Sequence, residues 1–172
     1  TFKKIFIMRK ALIQGRLKQI FIICFISSSV SLLAQEPPQL KDTDIAHVGV
    51  VANKIDISYA EIAKAKSKNK EIINFAETMI RDHQGVIDQA TELVTKLGVN
   101  PSDNAVSQSL QKEAEETKAL LQKKRGKAFD KAYIDNEVAY HKAVIDALKT
   151  LLIKQSDNAE LREFLENIVP AL

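Results

Sequence analysis

The chain has 172 residues, 45% apolar and 27% charged, with five glycines, four prolines and one cysteine, which is the size and composition of one globular domain plus an appendage. Its formal charge of +3 is unevenly placed. Residues 1–34 hold six of the 25 basic residues and no acid, which leaves 19 basic against 22 acidic groups beyond them. That mildly acidic remainder offers no electrostatic footprint for nucleic acid, and because Cys24 lies in the same leading segment, disulfides and thiolate chemistry are excluded from the rest.

The leading segment reads as a targeting element. Lys3, Lys4, Arg9, Lys10, Arg16 and Lys18 precede the apolar run Ile20 to Ile26, and Ser27 to Ala34 follow, ending on a small residue before Gln35. This is the layout of a secretory signal peptide, with Met8 read as the start and cleavage expected near Ala34. The competing reading, a retained anchor, needs roughly 20 apolar residues, and the run from Ile20 to Ala34 is shorter and broken by Ser27-Ser28-Ser29. The expected location is therefore outside the cytoplasm, in the periplasm or associated with an outer membrane. Residues 35–41, with Pro37-Pro38, read as an extended tether. Residues 42–172 read as one domain.

From Asp42 onward, helical periodicity dominates. A first helix capped at Thr43 or Asp44 and ending near Ser67 places Ile45, Val48, Ala52, Ile55, Tyr59 and Ile62 on one face. Asn69 caps a second, from Lys70 to Leu97, with Gly98 as its stop and a stripe of Ile73, Ala76, Ile80, His83, Ile87, Ala90, Val94 and Leu97. A loop rich in turn residues, Gly98 to Val106, leads to a charged third helix, about Ser107 to Lys124, with Leu110, Ala114, Thr117 and Leu121 on one side. Gly126 permits a break before a fourth, about Ala128 to Lys154, with Ile134, Val138, His141, Ile145, Leu148 and Leu152 as its stripe. Asp157 or Asn158 caps a last short helix that Pro170 kinks or ends. The expected fold is all-α, an antiparallel four-helix bundle with a short extra C-terminal helix.

Two of the three histidines interrupt apolar stripes within matching frames. Asp82 to Asp88 reads DHQGVID and Tyr140 to Asp146 reads YHKAVID. That is the register a duplicated hairpin would leave. An imidazole in a core slot costs of order 1–3 kcal/mol unless it finds a partner, so something inside the bundle must meet each ring. In the structural reading each ring bonds a Tyr, Glu or Asp and fixes helix register. In the functional reading His83 and His141, aided by Asp56 or Glu137, hold a divalent metal ion, since facing helices of a bundle commonly assemble such sites. The di-iron pattern Glu-x-x-His is absent, because Ile80 and Val138 stand where its glutamates would be. His47 reads as a rim residue of the first helix. No phosphate-binding glycine loop, nucleophile elbow or His-Glu-x-x-His is present, so no enzyme chemistry is indicated.

Asp44-Ile-Ala-His-Val48, Met79-Ile-Arg-Asp82-His83, Phe129-Asp130-Lys131-Ala132-Tyr133 and Glu137-Val-Ala-Tyr-His141 together resemble the bacterial family catalogued as domain of unknown function 4142, over about Asp42 to Leu172. The resemblance implies a ferritin-like four-helix bundle in an outer membrane or secreted protein, with no established activity. Its recurrent histidines match His83 and His141, and its acidic residue in the first helix corresponds to Asp56. Two departures stand out: His47 occupies a position where relatives carry an aromatic residue, and relatives continue past Leu172 with a further histidine-bearing stretch. The leading expectation is a non-enzymatic, stress-associated binding module of the cell envelope, with an envelope protein or membrane surface as partner. The alternative is a metal-binding or redox bundle built on the core histidines.

Overall fold

The structure is a computed structural model that describes residues 38–172, and the expected signal peptide and residues 35–37 of the expected tether lie outside the described residues. Every regular element among the described residues is helical. The helices are α1 (Asp42–Lys66), α2 (Lys70–Leu97), α3 (Ala105–Lys123) and α4 (Gly126–Ala147). A π-helical turn, Leu148–Leu152, carries α4 into the short α5 (Ile153–Gln155), and α6 (Ala159–Ile168) closes on a 3-10 turn, Val169–Ala171. No helix among the described residues is long and apolar enough to cross a membrane.

Local chemistry sets most of the boundaries. The side chain of Asn69 accepts from the Glu71 amide at the start of α2, and Gly98 ends that helix at φ 66°, a left-handed conformation that a side chain would oppose. Asn104 caps α3 by accepting from the Val106 and Ser107 amides, which starts the helix two residues ahead of the expected Ser107. Asn158 does the same for α6 at the Glu160 and Leu161 amides. Gly126, at φ 53°, opens α4 rather than merely separating it from α3.

α1 is the central helix. The expected stripe of Ile45, Val48, Ala52, Ile55 and Tyr59 is buried, but burial extends to Ala46, Val51, Asp56, Ala60 and Ala63. The reason is that α2, α3 and α4 all pack against it. Its small residues allow close approach: Ala60 and Ala63, with Ala76 of α2, have no exposed surface.

The core divides into two clusters along α1. The first gathers Val51, Ile55, Tyr59, Ala76, Phe129 and Tyr133. The second joins Ile45 and Val48 to Leu148, Leu152, Leu161 and Leu165, so that the end of α4 and all of α6 cover the start of α1. In α4 the expected stripe is corrected. Val138 is 58% exposed, and the buried positions are Phe129, Tyr133 and Glu137, followed by Leu148 and Leu152. An exposed valine had stood in for a buried acid because burying the acid carries an obvious desolvation cost. The extended residues Pro38 to Lys41 are held to the body, since Gln155 accepts from the Leu40 amide at 2.7 Å and donates to the Pro38 carbonyl at 3.0 Å.

Candidate metal centre

Asp56 sits in the middle of α1, where burial on several sides leaves it no exposed surface. α2 brings His83 to it and α4 brings His141, so that the two rings meet edge to face with centroids 5.5 Å apart. Nε2 of His83 lies 3.5 Å from Oδ1 of Asp56, and Nδ1 of His141 lies 3.8 Å from Oδ2. One ligand atom from each of the three side chains falls within 4.8 Å of the other two. Ligand distances of about 2.0–2.2 Å around zinc make this close to the span of a coordination site.

The hydrogen bonds around the cluster fix where its protons are. Asn53, one turn before Asp56, donates from Nδ2 to the Gly49 carbonyl at 2.8 Å. A carbonyl can only accept, so the amide oxygen of Asn53 faces Nδ1 of His83, 2.7 Å away, and that nitrogen must carry the hydrogen. Likewise Nδ1 of His141 donates to the Glu137 backbone carbonyl at 2.9 Å. Tyr140 donates its hydroxyl to the Ala52 carbonyl at 2.9 Å. The donors of Asn53, His83, His141 and Tyr140 are thus each directed to a fixed acceptor. The Nε2 lone pair of His83 is left toward Asp56, both of whose oxygens are buried.

The electrostatics are those of a site short of positive charge. Burial raises the Asp56 carboxyl above its usual range, with His83 and His141 opposing the shift. Burial also lowers His83, which favours the neutral imidazole that a metal requires. Glu137, one turn before His141, is pushed up to about 9 by burial and by the neighbouring Asp56 charge, so it keeps its proton at neutral pH. Its protonated carboxyl is placed to donate to Asp56, and Oε2 lies 3.9 Å from Nδ1 of His141. Tyr133 and Tyr140 are raised by the same burial.

Of the four residues singled out as candidates, Asp56, His83 and His141 form one group, and Glu137 stands beside it as a protonated neighbour. His47 is outside it, half-buried on the rim with Nδ1 3.8 Å from Asp103. Asn53 and Tyr140 escaped notice as site residues. The signal for Asn53 was its place three residues before Asp56 on the same face.

Residues 28–172 match the model of a protein family described as Domain of unknown function (DUF4142). The chain belongs to the DUF4142 family. No match was found among curated proteins or solved structures. In this DUF4142 chain the frames DHQGVID and YHKAVID supply the two facing imidazoles. The carboxylate is not repeated: the 58-residue offset that carries His83 to His141 carries Asp56 to Ala114. The centre is therefore asymmetric, with two imidazoles and one carboxylate.

Proposed function

We propose that this protein binds one divalent metal ion between Asp56, His83 and His141, in a ferritin-like helical bundle exported to the cell envelope. The single observation that carries the metal is the outward direction of the donors. Nδ1–H of His83 is spent on Asn53, which leaves Nε2 toward Asp56. His141, with Nδ1–H on the Glu137 carbonyl, would ligate through Nε2, and the Asp56 oxygens, without exposed surface, have the Glu137 carboxyl as their neighbouring donor. A buried carboxylate in that state costs several kcal/mol, and a cation at the convergence of the acceptors offsets the cost. Two imidazoles and a carboxylate suit zinc or ferrous iron.

The chain's own residues would do the following. His83 and Asp56 supply lone pairs, and Asn53 holds the His83 tautomer through Nδ1, as outer partners of metal-bound histidines generally do. His141 is oriented by the Glu137 carbonyl, while the Glu137 carboxyl keeps a proton beside the centre. The metal, when bound, supplies a Lewis acid in an interior site. Export is supported by the basic, acid-free leader, its apolar run and the small residue Ala34 before Gln35.

The test is elemental analysis of protein expressed with its leader and purified without added metal, set beside the His83→Ala, His141→Ala double variant. About one equivalent of zinc or iron is expected in the parent and less than a tenth of that in the variant. Equal metal content in the two would sink the proposal.

A further inference from the structure

α4 has an inner and an outer side. Phe129, Tyr133 and Glu137 are buried against the rest of the bundle, whereas Val138 is 58% exposed, one of two large apolar side chains among the described residues that lie mostly open to solvent. Ile134 and Ile145 are half-buried and stand at helical spacing from Val138, which makes one apolar row. Neither Val138 nor Ile145 packs against either core cluster. Such a row, edged by charges, has the form of one side of a helix pair.

The charges beside the row select the other side. Lys131, Asp135, Lys142 and Asp146 are exposed, follow one another at helical spacing and lie within the regular turns of α4. They are arranged about a point between Val138 and Ala139. Lys131 and Asp146 stand equally far to either side of that point with opposite charges, and so do Asp135 and Lys142. A second α4 laid antiparallel across the point therefore brings Lys131 level with the partner's Asp146, and Asp135 level with the partner's Lys142. Asp135, already 2.5 Å from Lys131 of its own helix, then sits between two cations. The same operation sets Val138 against its own counterpart and Ile134 near the partner's Ile145, while Ala139 is small enough to let the two helices approach. Laid parallel, the two helices would bring each of these charges level with its own kind, and like charges at one level oppose association.

We propose that two copies of this chain associate through the outer face of α4, antiparallel about a twofold axis between Val138 and Ala139. The metal centre plays no part in this contact. One helix pair is small beside a standard interface of about 1,600 Å², so the expected dimer is a reversible one.

Sedimentation equilibrium of the protein expressed with its leader is the test. A monomer–dimer equilibrium with a dissociation constant below about 100 μM is expected, and Val138→Lys should weaken it at least about tenfold. Asp135→Lys should weaken it about as much. The double exchange Asp135→Lys, Lys142→Asp should recover the parent value to within about threefold, because opposite charges again meet across the axis. Circular dichroism checks that each variant is folded. A parent that stays monomeric at about 500 μM chain would overturn the proposal, as would association that Val138→Lys leaves unchanged or a double exchange no tighter than the single one. A monomeric parent that binds vesicles of phosphatidylethanolamine and phosphatidylglycerol, and loses that binding in Val138→Lys, would assign the face to a membrane and overturn the proposal too.

Discussion

Asp56 governs the site because its carboxyl group has no exposed surface and lies between His83, His141 and the Glu137 carboxyl. Asn53 acts on it indirectly, by fixing which His83 nitrogen is free. Asn53→Ala is therefore expected to weaken metal binding by about 10–100-fold while leaving the helices intact, read from competition with a chromophoric chelator. An affinity within twofold of the parent would show that Asn53 does not position the ring. Glu137 sets the pH dependence. In the folded, metal-free chain it holds its proton to about pH 9, against a usual value of 4.5, so between those values the unfolded state has lost a proton that the folded state keeps. Stability then falls as pH rises through that window. Glu137→Gln mimics the protonated acid, and in denaturant unfolding it should exceed the metal-free parent by at least about 1 kcal/mol at pH 8, with the gain vanishing near pH 4.5. A gain independent of pH would contradict the assignment. His83 and His141 were legible in the sequence because polar residues within apolar helical stripes demand buried partners, whereas Asp56, beside Ile55, and Glu137, one turn before His141, were reached by their spacing and, for Asp56, by the family resemblance. Asn53 was not, since an asparagine one position off such a stripe reads equally well as surface.

At the scale of elements, α6 depends on a single side chain at the other end of the domain. Asp42 accepts from the Asp157 and Asn158 amides at 3.0 and 2.9 Å and from the Ser156 hydroxyl at 3.2 Å, tying the turn before α6 to the first residue of α1. Asp42→Ala should cost about 1–2 kcal/mol and should speed amide exchange in α6 more than in α1 or α2. Uniform protection across the three helices would mean that Leu161 and Leu165 hold α6 without the tie. The ends of α2 and the start of α6 were readable from Asn69, Gly98 and Asn158, whose side chains or backbone meet orphan groups in a local way. The face of α4 was not readable. Its apolar residues suggest Ile134 and Val138, but what packs inward is Tyr133 and Glu137, because three neighbouring helices decide which side is covered. The π turn at Leu148–Leu152 has no local signal either, and it sets where Leu148 and Leu152 meet α6.

For the whole molecule, the two core clusters flank a centre and a cavity that both weaken the packing of an otherwise continuous interior. Occupation should therefore register as global stability. A metal that binds the folded chain alone contributes about 2.7 kcal/mol when free metal is one hundred times the dissociation constant. The thermal midpoint of chelator-treated protein is accordingly expected to climb with added zinc, and not in the double histidine variant. A midpoint indifferent to zinc in the parent would show that the interior is complete without it. The all-helical architecture and the family were legible because periodicity runs through nearly every residue after Asp42. The cavity was not, since empty space between helices has no residue to announce it.

The most direct measurement is X-ray absorption at the zinc edge of protein loaded with one equivalent of metal. The expected spectrum shows two imidazole nitrogens at about 2.0–2.1 Å and carboxylate oxygen at about 2.0–2.2 Å, with the imidazole scattering lost in the His83→Ala, His141→Ala variant. A spectrum with oxygen donors alone, or one that the double variant leaves unchanged, would contradict a metal centre built from Asp56, His83 and His141.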